Sequence, residues 1–254
     1  MAKIISIINQ KGGVGKSTTA HAMAAGLKGK GQRVLLVELD HQGNLTFTTA
    51  ADTAKPSAYD LLTRQTTAAE CIQKTAAADI IIAGEDLAGA DMDLTAVGKE
   101  YRLKEGLEPT RASYDYIIID TPPALGVVTI NALTASEGAI IPAQADSYSL
   151  QGISKLQATL EAVKRYTNPQ LKLEGILLTR HNARAILSQD LADMMKAKAG
   201  QMGTFVYNVT IRECIAIKEA QTSQLDIFSY SPKSNAAEDY AEFIAEYLER
   251  GRKD

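Results

Sequence analysis

The 254-residue sequence predicts a doubly wound α/β fold, a mostly parallel sheet with helices on both faces. Two observations carry this. Short apolar runs rich in β-branched residues recur along the chain, and they alternate with longer stretches at helical spacing. Runs without polar alternation suit strands buried on both faces, as in parallel sheets whose crossovers are helices. A third observation agrees: residues suited to chemistry stand directly after several runs, where ligands bind in such folds.

The elements follow in order. Ile4–Ile8 is the first strand, followed by a glycine-rich turn and a helix over Ser17–Lys28. Val34–Leu39 is the second, ending at Asp40 and the flexible stretch His-Gln-Gly-Asn-Leu-Thr. Ala50–Leu94 is rich in Ala and Thr with few large apolar residues; apart from a strand at Ile80–Ile82, it is expected to hold loops and short helices on one side of the sheet. A helix at Val97–Thr110 leads to the strand Tyr116–Ile119, which ends at Asp120. Then come a helix at Val128–Ala135, a strand at Ala139–Pro142 ahead of Gln144–Asp146, and a helix at Leu150–Arg165. The strand Gly175–Thr179 and helices at Ala185–Lys198 and Ala236–Arg250 complete the pattern. No repeat, low-complexity linker or boundary interrupts it, so one domain over 1–254 is expected.

Hydrophobic residues make up 45% and charged residues 22%, as in ordinary globular proteins, and the net charge is −3. A dedicated nucleic-acid binder is usually basic, so DNA contact would have to come from a local patch. Cys71 and Cys214 are far apart and form no Cys-x-x-Cys pair, which argues against structural zinc or a disulfide framework. His21, His41 and His181 are too scattered to suggest a metal site. The N-terminus lacks the features of a signal peptide, and no apolar run approaches the ~20 residues that span a bilayer. A cytoplasmic location is expected.

Residues 10–19 read Gln-Lys-Gly-Gly-Val-Gly-Lys-Ser-Thr-Thr, between a strand and a helix. Glycines let backbone N–H groups approach phosphates, and the helix N-terminus adds a positive dipole. ATP with Mg²⁺ is the expected ligand, held by Lys11, Gly12, Gly13, Val14, Gly15, Lys16, Ser17, Thr18 and Thr19. Lys16 would reach the β- and γ-phosphates, Ser17 would ligate Mg²⁺, and Thr18 and Thr19 would donate to the α-phosphate. Asp120 ends a buried run beside the phosphate-loop strand, placed to hold Mg²⁺ through water. Asp40 could orient or deprotonate an attacking water, and it joins Ser17 and Asp120 in the expected magnesium set.

The loop departs from G-x-x-x-x-G-K-[ST] by having Gln10 first and a second lysine, Lys11, after it. In this it resembles the deviant Walker A ATPases, with motif K-G-G-x-x-K-[ST]. The resemblance implies a P-loop NTPase fold and a homodimer in which Lys11 crosses the interface to the partner's nucleotide. The order K-G-G-V-G-K-S-T, L-D-H-Q-G-N-L-T and I-I-I-D-T-P-P is similar to the ParA/Soj branch, and matches at 175–179, 211–220 and 230–237 extend this along the chain. That branch implies Asp40 as the switch aspartate required for hydrolysis and Asp120 as the Walker B acid. With the phosphate loop near residue 10, it also implies the small type, without an N-terminal helix-turn-helix. Two departures stand out: His41 replaces the family's usual proline, and Glu38 replaces a common Asp. Proline fixes φ and histidine does not, so loop stiffness is expected to differ.

Small ParA proteins bind DNA non-specifically as ATP dimers, which implies a nucleoid-associated protein whose hydrolysis a ParB-type partner stimulates. Arg184 matches a family arginine of the DNA surface, whereas Ala216 occupies the place of a second. Arg212 or Lys218 would compensate, with Lys196 and Lys198 joining the patch, since phosphate contacts need only shared positive charge. Segments after Thr179 and near Tyr207–Arg212 are expected to wall the nucleobase pocket. A MinD-like membrane-cycling ATPase is an alternative, but it needs a basic amphipathic C-terminal helix, and residues 236–250 are acidic. The nitrogenase iron protein shares the deviant loop but needs two cluster cysteines that Cys71 and Cys214 do not supply. An ATP-dependent transcriptional regulator would share the same biochemistry.

Overall fold

The computed structural model describes residues 1–181 and 186–252, and for residues 186–189 the backbone alone. Among the described residues eight strands form one sheet: β1 (Lys3–Ile7), β2 (Val34–Glu38), β3 (Gln73–Lys74), β4 (Asp79–Ile81), β5 (Tyr116–Asp120), β6 (Gly138–Ala143), β7 (Lys172–His181) and β8 (Val206–Arg212). Their order is β3-β4-β2-β5-β1-β6-β7-β8. Only the β3–β4 pairing is antiparallel. The chain leaves β1 toward β2 on one side and, after β5, crosses to β6 on the other. Such a reversal opens a crevice beyond the carboxyl end of the central strand.

Burial on both faces explains why the strands read as nearly continuous apolar runs. Successive side chains point to opposite faces, and both faces are covered. Ile5, Ile7, Leu36, Ile118, Ile140 and Leu177 pack with the helix Lys16–Gly29 and the C-terminal helix Asn235–Arg250. Ile4, Leu35, Val37, Ile117 and Ile119 face the other way, toward the helices Arg102–Leu107 and Val127–Ala135. Further along the sheet, Ala139, Ile141, Ile176 and Leu178 meet the helices Ser147–Tyr166 and Ile186–Gln201.

Most helices fall within a few residues of expectation, and the departures have local causes. The helix expected from Leu150 begins at Ser147 because the Asp146 carboxylate caps it, accepting from the Ser149 amide at 2.7 Å. The helix expected over Val97–Thr110 is broken into 3-10 turns at Lys99–Tyr101 and Glu108–Ser113 around the short α-helix Arg102–Leu107. Gly98 is left-handed at φ 78 and so terminates any earlier helix, and Pro109 sits in the last turn. Ala50–Leu94 holds short helices as expected, Ala58–Leu62, Ala68–Cys71 and Ala90–Asp93, packed on one face of the sheet. It also contributes β3, an antiparallel edge. β8 is a strand without a continuous apolar run. Its burial alternates along an edge, so its sequence Val-Tyr-Asn-Val-Thr-Ile-Arg never forms such a run.

The C-terminal helix buries Ala236, Ala237, Tyr240, Phe243, Ile244 and Tyr247, so the core occupies its apolar face. No helix among the described residues is long and apolar enough to cross a membrane. His21, on the helix Lys16–Gly29, is buried with Nε2 unpartnered. Burial lowers its pKa, and the Asp226 carboxylate only partly opposes this. Below the ordinary histidine value of about 6.5, the unfolded chain therefore binds a proton that the folded chain refuses, and stability falls as pH falls. The thermal midpoint of wild type is expected to drop between pH 7.5 and 5.5, and His21→Leu to flatten that drop; parallel curves would exclude His21 as its source.

Candidate functional site

A cleft of about 600 Å³ opens at the crevice beyond β1. Its floor is the turn between β1 and the helix Lys16–Gly29. Gly13 and Gly15 are left-handed at φ 73 and φ 88, a conformation in which a side chain would be strained. No side chain caps this helix and its first turn carries no acid, so its positive end stays available to an anion.

The turn is braced from β6 and β7, on one side of β1. Asn9 Nδ2 donates to the Pro142 carbonyl at 2.7 Å, and Asn9 Oδ1 accepts from the Lys11 amide at 3.0 Å. Val14 is fully buried, and its carbonyl accepts from Thr179 Oγ1 at 2.8 Å. The Gly13 carbonyl accepts from Gln144 Nε2 and from Arg180 Nη1, each at 3.4 Å. Arg180, left-handed at φ 50, also pairs with Glu213 at 3.1 Å across the cleft mouth. Asn9 shows no motif, and its bond to the Pro142 carbonyl spans 133 residues; Arg180 follows Thr179 in the expected nucleobase wall, and its bond to Gly13 spans 167.

Lys16 is 6% exposed, an unusual burial for an ammonium group. Burial lowers its pKa while the Asp120 and Asp40 carboxylates oppose that shift. Its Nζ donates to the Lys11 carbonyl at 3.4 Å. Asp120 is fully buried, and neither carboxylate oxygen has a hydrogen-bond partner. Burial pushes its pKa up to about 8; the Ser17 hydroxyl and Lys16 oppose this, while Glu38 and Asp40 reinforce it. The buried Asp120 carboxylate and the Ser17 hydroxyl beside it are oxygen ligands suited to a hard divalent cation, and the Lys16 ammonium suits a phosphate. Asp40 is 6% exposed and lines the cleft with Ser17; its Oδ1 accepts from the Gln42 amide at 3.2 Å. The strand order accounts for the convergence, since β2 and β1 both flank β5 and deliver Asp40, Lys16 and Asp120 to one edge.

Several expected site residues sit differently. Thr18 lines the cleft, but Thr19 is fully buried and its hydroxyl meets the Tyr240 hydroxyl at 3.2 Å, turned into the core rather than toward a phosphate. Lys11 folds back on its own chain: Nζ pairs with Asp146 Oδ2 at 2.5 Å and donates to Gln144 Oε1 at 3.3 Å. Partial burial pushes the Asp146 pKa up, but hydrogen bonds from Lys11 and Ser149, with the Lys11 charge, together bring it below the usual value.

Among the described residues, the expected DNA contacts are divided between the two faces of the sheet. Arg212 is neutralised by Asp239, with Nη2 to Oδ1 at 2.6 Å, and by Glu238 at 3.5 Å, so it is no free cation. Lys218 lines the cleft. Lys196 pairs with Asp193 at 2.8 Å, and Lys198 donates to Gln157 at 2.9 Å. The helices bearing Lys218 and Lys196 cover opposite faces of the sheet. Arg184 lies outside the described residues. Of the expected nucleobase walls, Thr179, Ile211 and Arg212 line the cleft, whereas Tyr207 is buried in the core. Cys71 is buried, with its thiol pushed up to about 11 chiefly by burial, while Cys214 is half-buried in the cleft wall.

The sequence model of a family described as an AAA domain matches residues 2–173. The chain is 40% identical to the sporulation initiation inhibitor protein Soj of Bacillus subtilis (strain 168), over 99% of this chain and 100% of that protein. It is 36% identical to the chromosome partitioning protein ParA of Myxococcus xanthus (strain DK1622), over 98% of this chain and 89% of that one. Among solved structures, cobyrinic acid a,c-diamide synthase from Mycobacterium smegmatis with bound ATP analog and magnesium superposes with a TM-score of 0.82 at 33% identity, covering 99% and 96% of the two chains.

Proposed function

The chain belongs to the Soj/ParA family of P-loop ATPases, and from that membership we propose that it is an ATP-dependent dimerising switch that partitions chromosomal or plasmid DNA. It hydrolyses ATP, with ATP and Mg²⁺ as its nucleotide and metal. The observation that carries the reading is the meeting, at the carboxyl end of β1, of the uncapped helix start, buried Lys16 and orphaned Asp120. The chain acts as one ATPase domain over 1–254.

Lys16, Ser17 and the backbone of residues 11–18 would hold the phosphates, and Ser17, Asp40 and Asp120 would hold Mg²⁺. When bound, Mg²⁺ supplies charge neutralisation for phosphoryl transfer. Asp40 orients the attacking water and accepts its proton. Little covalent chemistry falls to the protein, so positioning and charge do the rest. The ATP dimer binds DNA non-specifically, two copies of a weak basic surface acting together. A ParB-type partner then stimulates hydrolysis, which dissolves the dimer. A salt titration of DNA binding with and without ATP tests the DNA step, and an ATP-independent or salt-insensitive signal would exclude it. ATP turnover with DNA present, comparing a ParB-type partner added and omitted, tests the switch.

For Lys11 to complete the partner's site, it must leave Asp146 and Gln144 of its own chain. Lys11→Ala is expected to bind nucleotide but fail to dimerise. Asp146→Asn keeps an oxygen to cap the helix Ser147–Tyr166 yet removes the charge holding Lys11. A half-exposed pair of this kind is worth at most about 1 kcal/mol, so the dimer fraction at limiting ATP should rise about two- to fivefold. Light scattering measures it, and an unchanged dimer constant would deny the ion pair any such role.

A further inference from the structure

Glu38 is the last residue of β2, fully buried and in register with Asp120 on β5. A carboxylate so placed is costly unless donors meet it. Four do: the Ala83 backbone just past β4 supplies one, and the other three come from one place. Oε1 accepts from the Leu45 amide at 2.6 Å, and Oε2 accepts from the Thr46 amide at 3.0 Å and from the Thr46 hydroxyl. These donors belong to the first turn of the short helix Asn44–Thr48, whose own cap position, Gly43, has no side chain to offer. Glu38 thus caps that helix from the strand, clamping the far end of the segment Asp40–Gly43. The near end is held by the sheet, where the Leu39 amide donates to the Asp120 carbonyl at 2.9 Å. Within the segment, the Gly43 amide donates to the Asp40 carbonyl at 3.0 Å and the Gln42 amide to Asp40 Oδ1 at 3.2 Å. His41 does not fix φ, so the stiffness of this turn comes from its two clamped ends.

We propose that Glu38 is a positioning residue for hydrolysis: by fixing the segment Asp40–Gly43 from beneath, it sets where the Asp40 carboxylate stands over the phosphate loop. This rests on the reading of Asp40 as the residue that orients the attacking water. Gly43 is left-handed at φ 65, where the usual capping side chains would be strained, so the cap has to come from elsewhere. A buried acid reaching from the strand instead ties the loop's position to the strand that borders Asp120.

Glu38→Gln keeps the shape but sets an amide donor against backbone donors. It is expected to lower kcat for ATP about 10- to 100-fold, the range expected for a small misplacement of a catalytic group. The dissociation constant for Mg²⁺ with a non-hydrolysable ATP analogue should change less than about threefold, since the phosphate loop is untouched. Without any nucleotide, hydrogen exchange at the Leu45 and Thr46 amides should accelerate in this variant. Thr46→Val, which removes one donor at a half-buried site, guards against misfolding and should lower kcat about three- to tenfold. Wild-type turnover in a folded Glu38→Gln protein, or an equal loss of kcat and analogue affinity, would overturn the proposal. Asp40→Ala measured alongside separates the two claims. Loss of turnover there with none in Glu38→Gln rejects only the positioning role, whereas wild-type turnover in Asp40→Ala rejects the reading beneath it.

Discussion

Lys16→Ala is expected to abolish nucleotide binding at concentrations that saturate wild type. The ammonium sits 6% exposed under the cleft, where water screens it little and each contact to a phosphate oxygen is charge-assisted. Truncating one partner of a buried charge pair costs about 2–5 kcal/mol, which is roughly 30- to several-thousand-fold in affinity. The same substitution leaves the Asp120 and Asp40 carboxylates without their cation. Asp120 is already pushed up to about 8 and can stay protonated at neutral pH, so the unliganded fold should survive the change. Calorimetry with ATP and Mg²⁺ measures the affinity, and a thermal scan without nucleotide measures the fold. Retained affinity would remove Lys16 from the phosphate site; a collapsed fold would make its role structural.

Asp40→Ala should separate binding from turnover in the opposite way. General base or water-orienting groups contribute typically about 10²–10⁴-fold, so hydrolysis is expected to fall by that factor. Nucleotide affinity should hold or improve, because an acid facing the phosphates is removed while the turn over residues 11–17 is unchanged. The protein should then accumulate as an ATP dimer, seen by gel filtration with ATP and Mg²⁺ and lost when ADP replaces ATP. A dimer that forms equally with ADP would detach assembly from the switch, and a wild-type rate would assign the catalytic role elsewhere.

The central strands were legible because both faces of the sheet are covered, which makes Ile4–Ile8, Val34–Leu39 and Tyr116–Ile119 apolar runs interrupted only by Ser6 and Glu38. β8 was not, because an edge strand half open to solvent alternates instead. Gly13 and Gly15 announced the turn, since the left-handed backbone there excludes nearly every other residue. Gln144–Asp146 drew attention by following a strand end, but nothing local indicated that their side chains would hold Lys11. Arg212 read as a surface cation because Asp239, which neutralises it, lies 27 residues further on.

By itself, then, the sequence determined the phosphate-binding turn, the strand ends that carry Asp40 and Asp120, and a mostly parallel sheet. These depend on backbone sterics and on burial periodicity, both set by residues within a few positions of one another. Tertiary structure alone decided that Lys11 is stored against Asp146, that the Thr19 hydroxyl turns to Tyr240, and that Glu38 reaches up to clamp the turn after Asp40. A side chain's partner is chosen by what the fold brings within hydrogen-bonding distance, and for Lys11 and Thr19 that partner is 135 and 221 residues away.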